Sequence, residues 1–90
     1  MTQAEMLLYV VSTYAPDAVL PTEDITYLAH KYFPEVFGML GYRLYPDHKA
    51  VSSVFFRDRG PLKRRWFKRV APNKYKVTAE GINHAAGLVR

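Results

Sequence analysis

Apolar positions recur every three or four residues in segments up to about position 33 and again over 48–58, and every second residue from about position 62 to 78, which divides the chain into helical and extended parts. Thr2-Gln3-Ala4-Glu5 has the form of a capping box, so a first helix is expected to begin there. Met6, Leu7, Val10, Val11 and Tyr14 form its core-facing stripe, and Pro16-Asp17 follows its end. Pro21-Thr22-Glu23-Asp24 marks a second start, with Thr22 as the expected N-cap and two acids favoured by the helix dipole. That helix should run to about Phe33, bury Ile25, Leu28, Ala29 and Tyr32, and stop at Pro34.

Between Pro34 and Pro46, Gly38, Gly41 and the aromatics Phe37, Tyr42 and Tyr45 break any helical period, so a packed loop with a short strand near Tyr42–Leu44 is expected. Asp47 is placed to cap a third helix over 48–58, ended by Gly60-Pro61. At about 100° per residue, Val51, Val54 and Phe55 share one face, while Lys49, Ser52, Ser53, Phe56 and Arg57 share the other. Leu62–Val70 and Lys74–Thr78 then read as a β-hairpin turning at Ala71-Pro72-Asn73, with Tyr75 and Val77 inward and Lys74 and Lys76 outward. Thr78 should cap a last helix over 79–88 whose apolar members are Ile82, Ala85, Ala86 and Leu88.

Charge changes this picture more than composition does. The 90 residues are 49% hydrophobic, which suits one domain with one core. Residues 1–48 hold Lys31 and Arg43 against Glu5, Asp17, Glu23, Asp24, Glu35 and Asp47, a net −4. Residues 49–76 hold ten Lys and Arg side chains against Asp58 alone, a net +9, and in the remainder Arg90 balances Glu80. A one-sign block repels itself in the folded state, and a polyanion is the usual reason for one; a solubilising face would have the same composition.

The order helix, helix, short strand, helix, β-hairpin, helix defines an α+β domain and resembles the winged-helix variant of the helix-turn-helix. The likeness is carried by Lys74-Tyr75-Lys76-Val77-Thr78-Ala79-Glu80-Gly81, similar to the Y-x-(L/V)-T-x-x-G close of a wing, and by the basic helix just before the hairpin. The long aromatic segment Phe33–Tyr45 departs from the tight turn of a simple helix-turn-helix. The resemblance implies duplex DNA as partner, with the third helix in the major groove and the wing beside it. Residues 1–90 then form one winged-helix domain, either whole or cut from a longer protein.

On that reading Lys49, Ser52, Ser53, Phe56 and Arg57 form the recognition helix, with Arg57 the first choice for reading guanine and Phe56 either on a thymine methyl or packed on its neighbours. Arg59 and Lys63 form the junction, and Arg64, Arg65, Lys68, Arg69, Lys74 and Lys76 form a wing aimed at phosphates. Trp66 and Phe67 lie among the arginines, and whichever points outward could stack on an unpaired base, so single-stranded nucleic acid is a lesser expectation. The clustered aromatics Phe33, Phe37, Tyr42 and Tyr45 favour an alternative role in protein interaction or homodimerisation.

Other chemistry finds little support. His30, His48 and His84 fall on three separate elements without metal-ligand spacing, Asp47 and His48 diverge at a helix start, and Ser52 and Ser53 lack a nucleophile elbow. A non-catalytic domain without metal or cofactor is expected. The absence of cysteine excludes a disulfide frame, and with neither a signal-like start nor a long apolar run the domain is expected to be intracellular and off the membrane.

Overall fold

The capping box at the start of the chain forms as its residues dictate. Thr2 N donates to Glu5 Oε1 at 2.8 Å, and Glu5 N donates to Thr2 Oγ1 at 3.1 Å, opening helix α1, Gln3–Tyr14. The computed structural model describes residues 1–88, and the balancing charge read at Arg90 lies outside them. Eight further elements follow in order: α2 Thr22–Tyr32, α3 Pro34–Phe37, β1 Gly38–Met39, β2 Tyr42–Pro46, α4 His48–Phe56, β3 Phe67–Ala71, β4 Lys74–Val77 and α5 Ala79–Leu88. Five helices and two small antiparallel hairpins thus make an α+β fold among the described residues. None of those helices is long and apolar enough to cross a membrane.

The core lies where α1, α2 and α4 meet the inner face of the second hairpin. Leu7, Leu8, Val10 and Val11 of α1 are fully buried beside Ile25 and Ala29 of α2 and Val51, Val54 and Phe55 of α4. The Phe55 ring sits at the centre, edge-on to Phe67 at 5.1 Å and to Tyr75 at 4.9 Å. Leu20, in the connection before α2, forms a two-way backbone bridge to Tyr75, each amide donating to the other's carbonyl at 2.8 Å. A third antiparallel neighbour therefore flanks β4 on the edge away from β3.

Several expected boundaries move. Leu8 joins the core, whereas Tyr14 is half exposed and stacks on Tyr32 outside it, with ring centroids 4.0 Å apart. Thr22 is the first residue of α2 and not its N-cap; Pro21 holds that position and has no side-chain acceptor to offer. The acceptor comes from 51 residues away, because Asn73 Oδ1 takes hydrogen bonds from Thr22 N at 3.2 Å and Thr22 Oγ1 at 3.0 Å. Residues 34–46 are not a loop with one strand but the short helix α3 and the hairpin β1–β2, tied together by Asp47 N donating to the Phe37 carbonyl.

The helix expected over 48–58 ends at Phe56, and Arg57 adopts an extended conformation as its C-cap. Gly60 lies so close to the end of α4 that a Cβ there would be 2.2 Å from the Val54 carbonyl oxygen. Residues 62–66, expected to begin the first wing strand, instead form turns, with Arg64 N donating to the Gly60 carbonyl and Trp66 N to the Pro61 carbonyl. Only from Phe67 does the chain extend. In α5 it is Gly81 and Ala85 that are buried, while Ile82 and Ala86 face solvent, because Gly81 packs against the Trp66 carbonyl where a larger residue would not fit.

Candidate nucleic-acid interface

Asp47 accepts from Ala50 N at 3.0 Å and so caps α4, and the buried trio Val51, Val54 and Phe55 fixes which side of that helix faces out. Lys49, Ser53 and Phe56, at i, i+4 and i+7, form the exposed ridge. Ser52 lies at its edge, half-buried, with Oγ 3.3 Å from His48 Nε2, while His48 Nδ1 lies 2.8 Å from Thr26 Oγ1. His48 thus orients Ser52 and joins α4 to α2. Phe56 is 42% exposed, yet its ring meets Phe55 at 5.1 Å and Tyr75 at 5.9 Å, so one side is packed and the other free.

The hairpin adds cations on two faces. Lys68 pairs directly with Lys76 in the β3–β4 register, on the face opposite the buried Phe67–Val77 pair. Lys74, two residues before Lys76, projects to the same outer side. Arg69 pairs with Tyr75 instead, on the face that Phe56 abuts, so α4 and the hairpin meet along a line from Phe56 through Tyr75 to Arg69. The turn is not a free tip: besides capping α2, Asn73 donates through Nδ2 to Glu23 Oε1 at 2.9 Å.

The remaining expected residues go elsewhere. Arg57 lies beyond the helical turn and off the ridge, and with Arg59 and Arg64 it lines a cavity of about 550 Å³ against Thr2 and Ala4 of α1, with Asp58 on the same wall. Lys63, Arg64 and Arg65 belong to the turns before β3 and not to a wing strand. Arg65 has a left-handed backbone, φ 64°, and its carbonyl accepts from the Thr78 hydroxyl, which also accepts from Gly81 N to cap α5. Neither Trp66 nor Phe67 faces outward. Both are buried, Trp66 between His84, stacked at 4.3 Å, and the Arg64 guanidinium at 5.2 Å from its ring, so neither presents a face to an unpaired base.

Among the described residues no Lys or Arg forms an ion pair with a carboxylate; His84 Nε2 with Glu5 Oε2, 2.8 Å apart, is the sole pair of opposite type. Backbone donation from Thr2, then the His84 contact, holds the Glu5 carboxyl below the usual carboxylate range, and the Asn73 amide does the same first for Glu23. These carboxylates serve helix starts and leave the basic block unneutralised. Compared with known proteins, the chain matches no family model, no curated sequence and no solved structure.

Two features escaped sequence reasoning. The meeting of Arg57, Arg59 and Arg64 at one cavity depends on the tight turn after α4, for which Gly60-Pro61 was the only signal. The β1–β2 hairpin is exposed throughout β2, with Leu40 at 87% and Leu44 at 88% exposure, joined by Tyr42 and Tyr45. Phe37, grouped with those aromatics by sequence, is instead fully buried, and Phe33 is half-buried edge-on to Tyr9.

Proposed function

We propose that this domain is a winged-helix module that binds duplex DNA, as a regulator or as the DNA-targeting part of a larger protein. The observation that carries the proposal is a block of ten cations against one acid in residues 49–76 that finds no carboxylate partner among the described residues. The fold class is supported by the sequence of α4, the β3–β4 hairpin and α5, and by the Leu20 bridge that gives β4 a third strand-like neighbour.

In this arrangement the ridge Lys49, Ser53 and Phe56 enters the major groove and Ser52 borders it. Arg69 continues that surface, and Lys68, Lys74 and Lys76 meet phosphates. Base reading passes from Arg57 to Lys49 and Ser53, because Arg57 lies past the last residue of α4 and lines the cavity against the start of α1.

The direct opposition of Lys68 and Lys76 supports the same reading, since like charges facing across strands destabilise a hairpin until an anion intervenes. Titration of labelled duplex at several salt concentrations tests it. Neutralising about six phosphates would lower affinity by roughly three powers of ten between 50 and 200 mM salt; a flat response refutes the proposal. Lys49→Ala should narrow the gap between preferred and random sequence, whereas Lys76→Ala should weaken both equally.

A second reading rests on a different surface. Leu40, Tyr42, Leu44 and Tyr45 are exposed together on β1–β2, which suits contact with a protein or with a second copy of the chain. Sedimentation over a range of concentrations, with Leu40→Ser/Leu44→Ser as control, tests self-association. A monomer at every concentration removes the homodimer.

A further inference from the structure

Three arginines line one concavity that the duplex-binding surface does not use. Arg57, Arg59 and Arg64 line it from the turns after α4, and Thr2 and Ala4 line it from the first turn of α1. The convergence is built by packing: Gly60 is pressed onto the last carbonyls of α4, and Gly60 N donates to the Arg57 carbonyl at 2.8 Å. Arg64 is restrained twice, its Nε donating to the Arg59 carbonyl at 2.9 Å and its Cζ lying 5.2 Å from the centre of the Trp66 ring. Both restraints spare its terminal nitrogens, which make no hydrogen bond among the described residues.

We propose that this cavity binds a phosphomonoester dianion. Three cations against Asp58 leave two positive charges, which matches a dianion, and guanidinium forks match phosphate oxygens two at a time. A volume of about 550 Å³ falls in the range of small-ligand sites, large enough for a phosphate and the sugar that carries it. A concavity between a helix start and a tight turn receives a terminal group, whereas a phosphodiester would have to continue out of it on both sides. The ligand is either the 5′ end of a nucleic-acid strand or a small sugar phosphate, since both offer the same group.

Trp66 is the single tryptophan and touches Arg64, so its emission reports on the cavity. Inorganic phosphate and ribose 5-phosphate should each change that emission saturably, while ribose should not. Arg57→Gln and Arg64→Gln should weaken both titrations at least about tenfold, and Lys31→Gln, on α2 away from the cavity, should leave them unchanged. Arg57→Gln keeps the test decisive if Arg64→Gln disturbs Trp66 packing, and a thermal melt of each variant establishes folding.

Duplexes of about 12 base pairs with 5′-phosphate or 5′-hydroxyl ends separate the sources. Preference for the phosphorylated end, lost in Arg57→Gln, assigns the site to strand termini. Saturation by ribose 5-phosphate with no end preference assigns it to a small molecule. Equal binding of both duplexes, with neither small phosphate saturating below about 10 mM, overturns the site yet leaves duplex binding intact. Phosphate saturation without any duplex binding does the reverse.

Discussion

Asn73 joins two distant parts of the chain with one amide. Its left-handed backbone, φ 53°, closes the β3–β4 turn, and its side chain supplies the cap that Pro21 cannot give α2. Asn73→Gly keeps the turn conformation but removes the cap, and should cost about 1 kcal/mol in chemical denaturation. Asn73→Ala adds backbone strain and should cost more; an Asn73→Gly protein as stable as wild type would show that the clasp contributes nothing. Gly60 is constrained by space instead. A methyl there would overlap the Val54 and Phe55 carbonyl oxygens, so Gly60→Ala should lose about 3 kcal/mol, read from the denaturation midpoint.

At the scale of elements, the helix starts depend on carboxylates whose protons are held below the ordinary range. Glu5 and Glu23 therefore stabilise the fold in full above that range, and their contribution is lost as pH falls through their lowered values. The melting temperature should hold steady down to about pH 5 and fall below about pH 4; Glu5→Gln with Glu23→Gln should flatten that acid decline. The β3–β4 hairpin carries the opposite trade. Lys76→Thr relieves its repulsion with Lys68 and should raise stability by about 0.2 to 1 kcal/mol, while lowering the salt slope of duplex binding by about one. A variant that gains stability without losing affinity would place Lys76 off the interface.

These elements also separate what could be read in advance from what could not. The starts of α1, α4 and α5 were legible because Thr2, Asp47 and Thr78 cap locally and buried residues recur at helical spacing behind the first two. The β1–β2 hairpin was not, since β2 buries neither face and leaves no alternation; its form depends on non-periodic contacts such as His30 Nε2 donating to the Arg43 carbonyl at 2.7 Å. Residues 62–66 read as strand from sequence but form turns, in which Thr78, far along the chain, fixes the Arg65 carbonyl. Sequence thus located the basic block, but packing decided how its members are shared between ridge, hairpin and cavity.

For the molecule as a whole, the longest dimension of 36 Å equals about one turn of B-form duplex. One copy should thus occupy about ten base pairs, and affinity should stop rising once labelled duplexes exceed roughly that length; continued strengthening in single-copy complexes would require a larger contact surface than the domain possesses. Because Asn73 fastens the hairpin to the start of α2, the basic arm travels with the body and has no slack to lose when it docks. On the proposed duplex-binding reading, capture would be a rigid collision: its rate would be governed by long-range attraction, its entropy would escape the toll of ordering a loop, and its heat-capacity change would be no larger than the covered area demands.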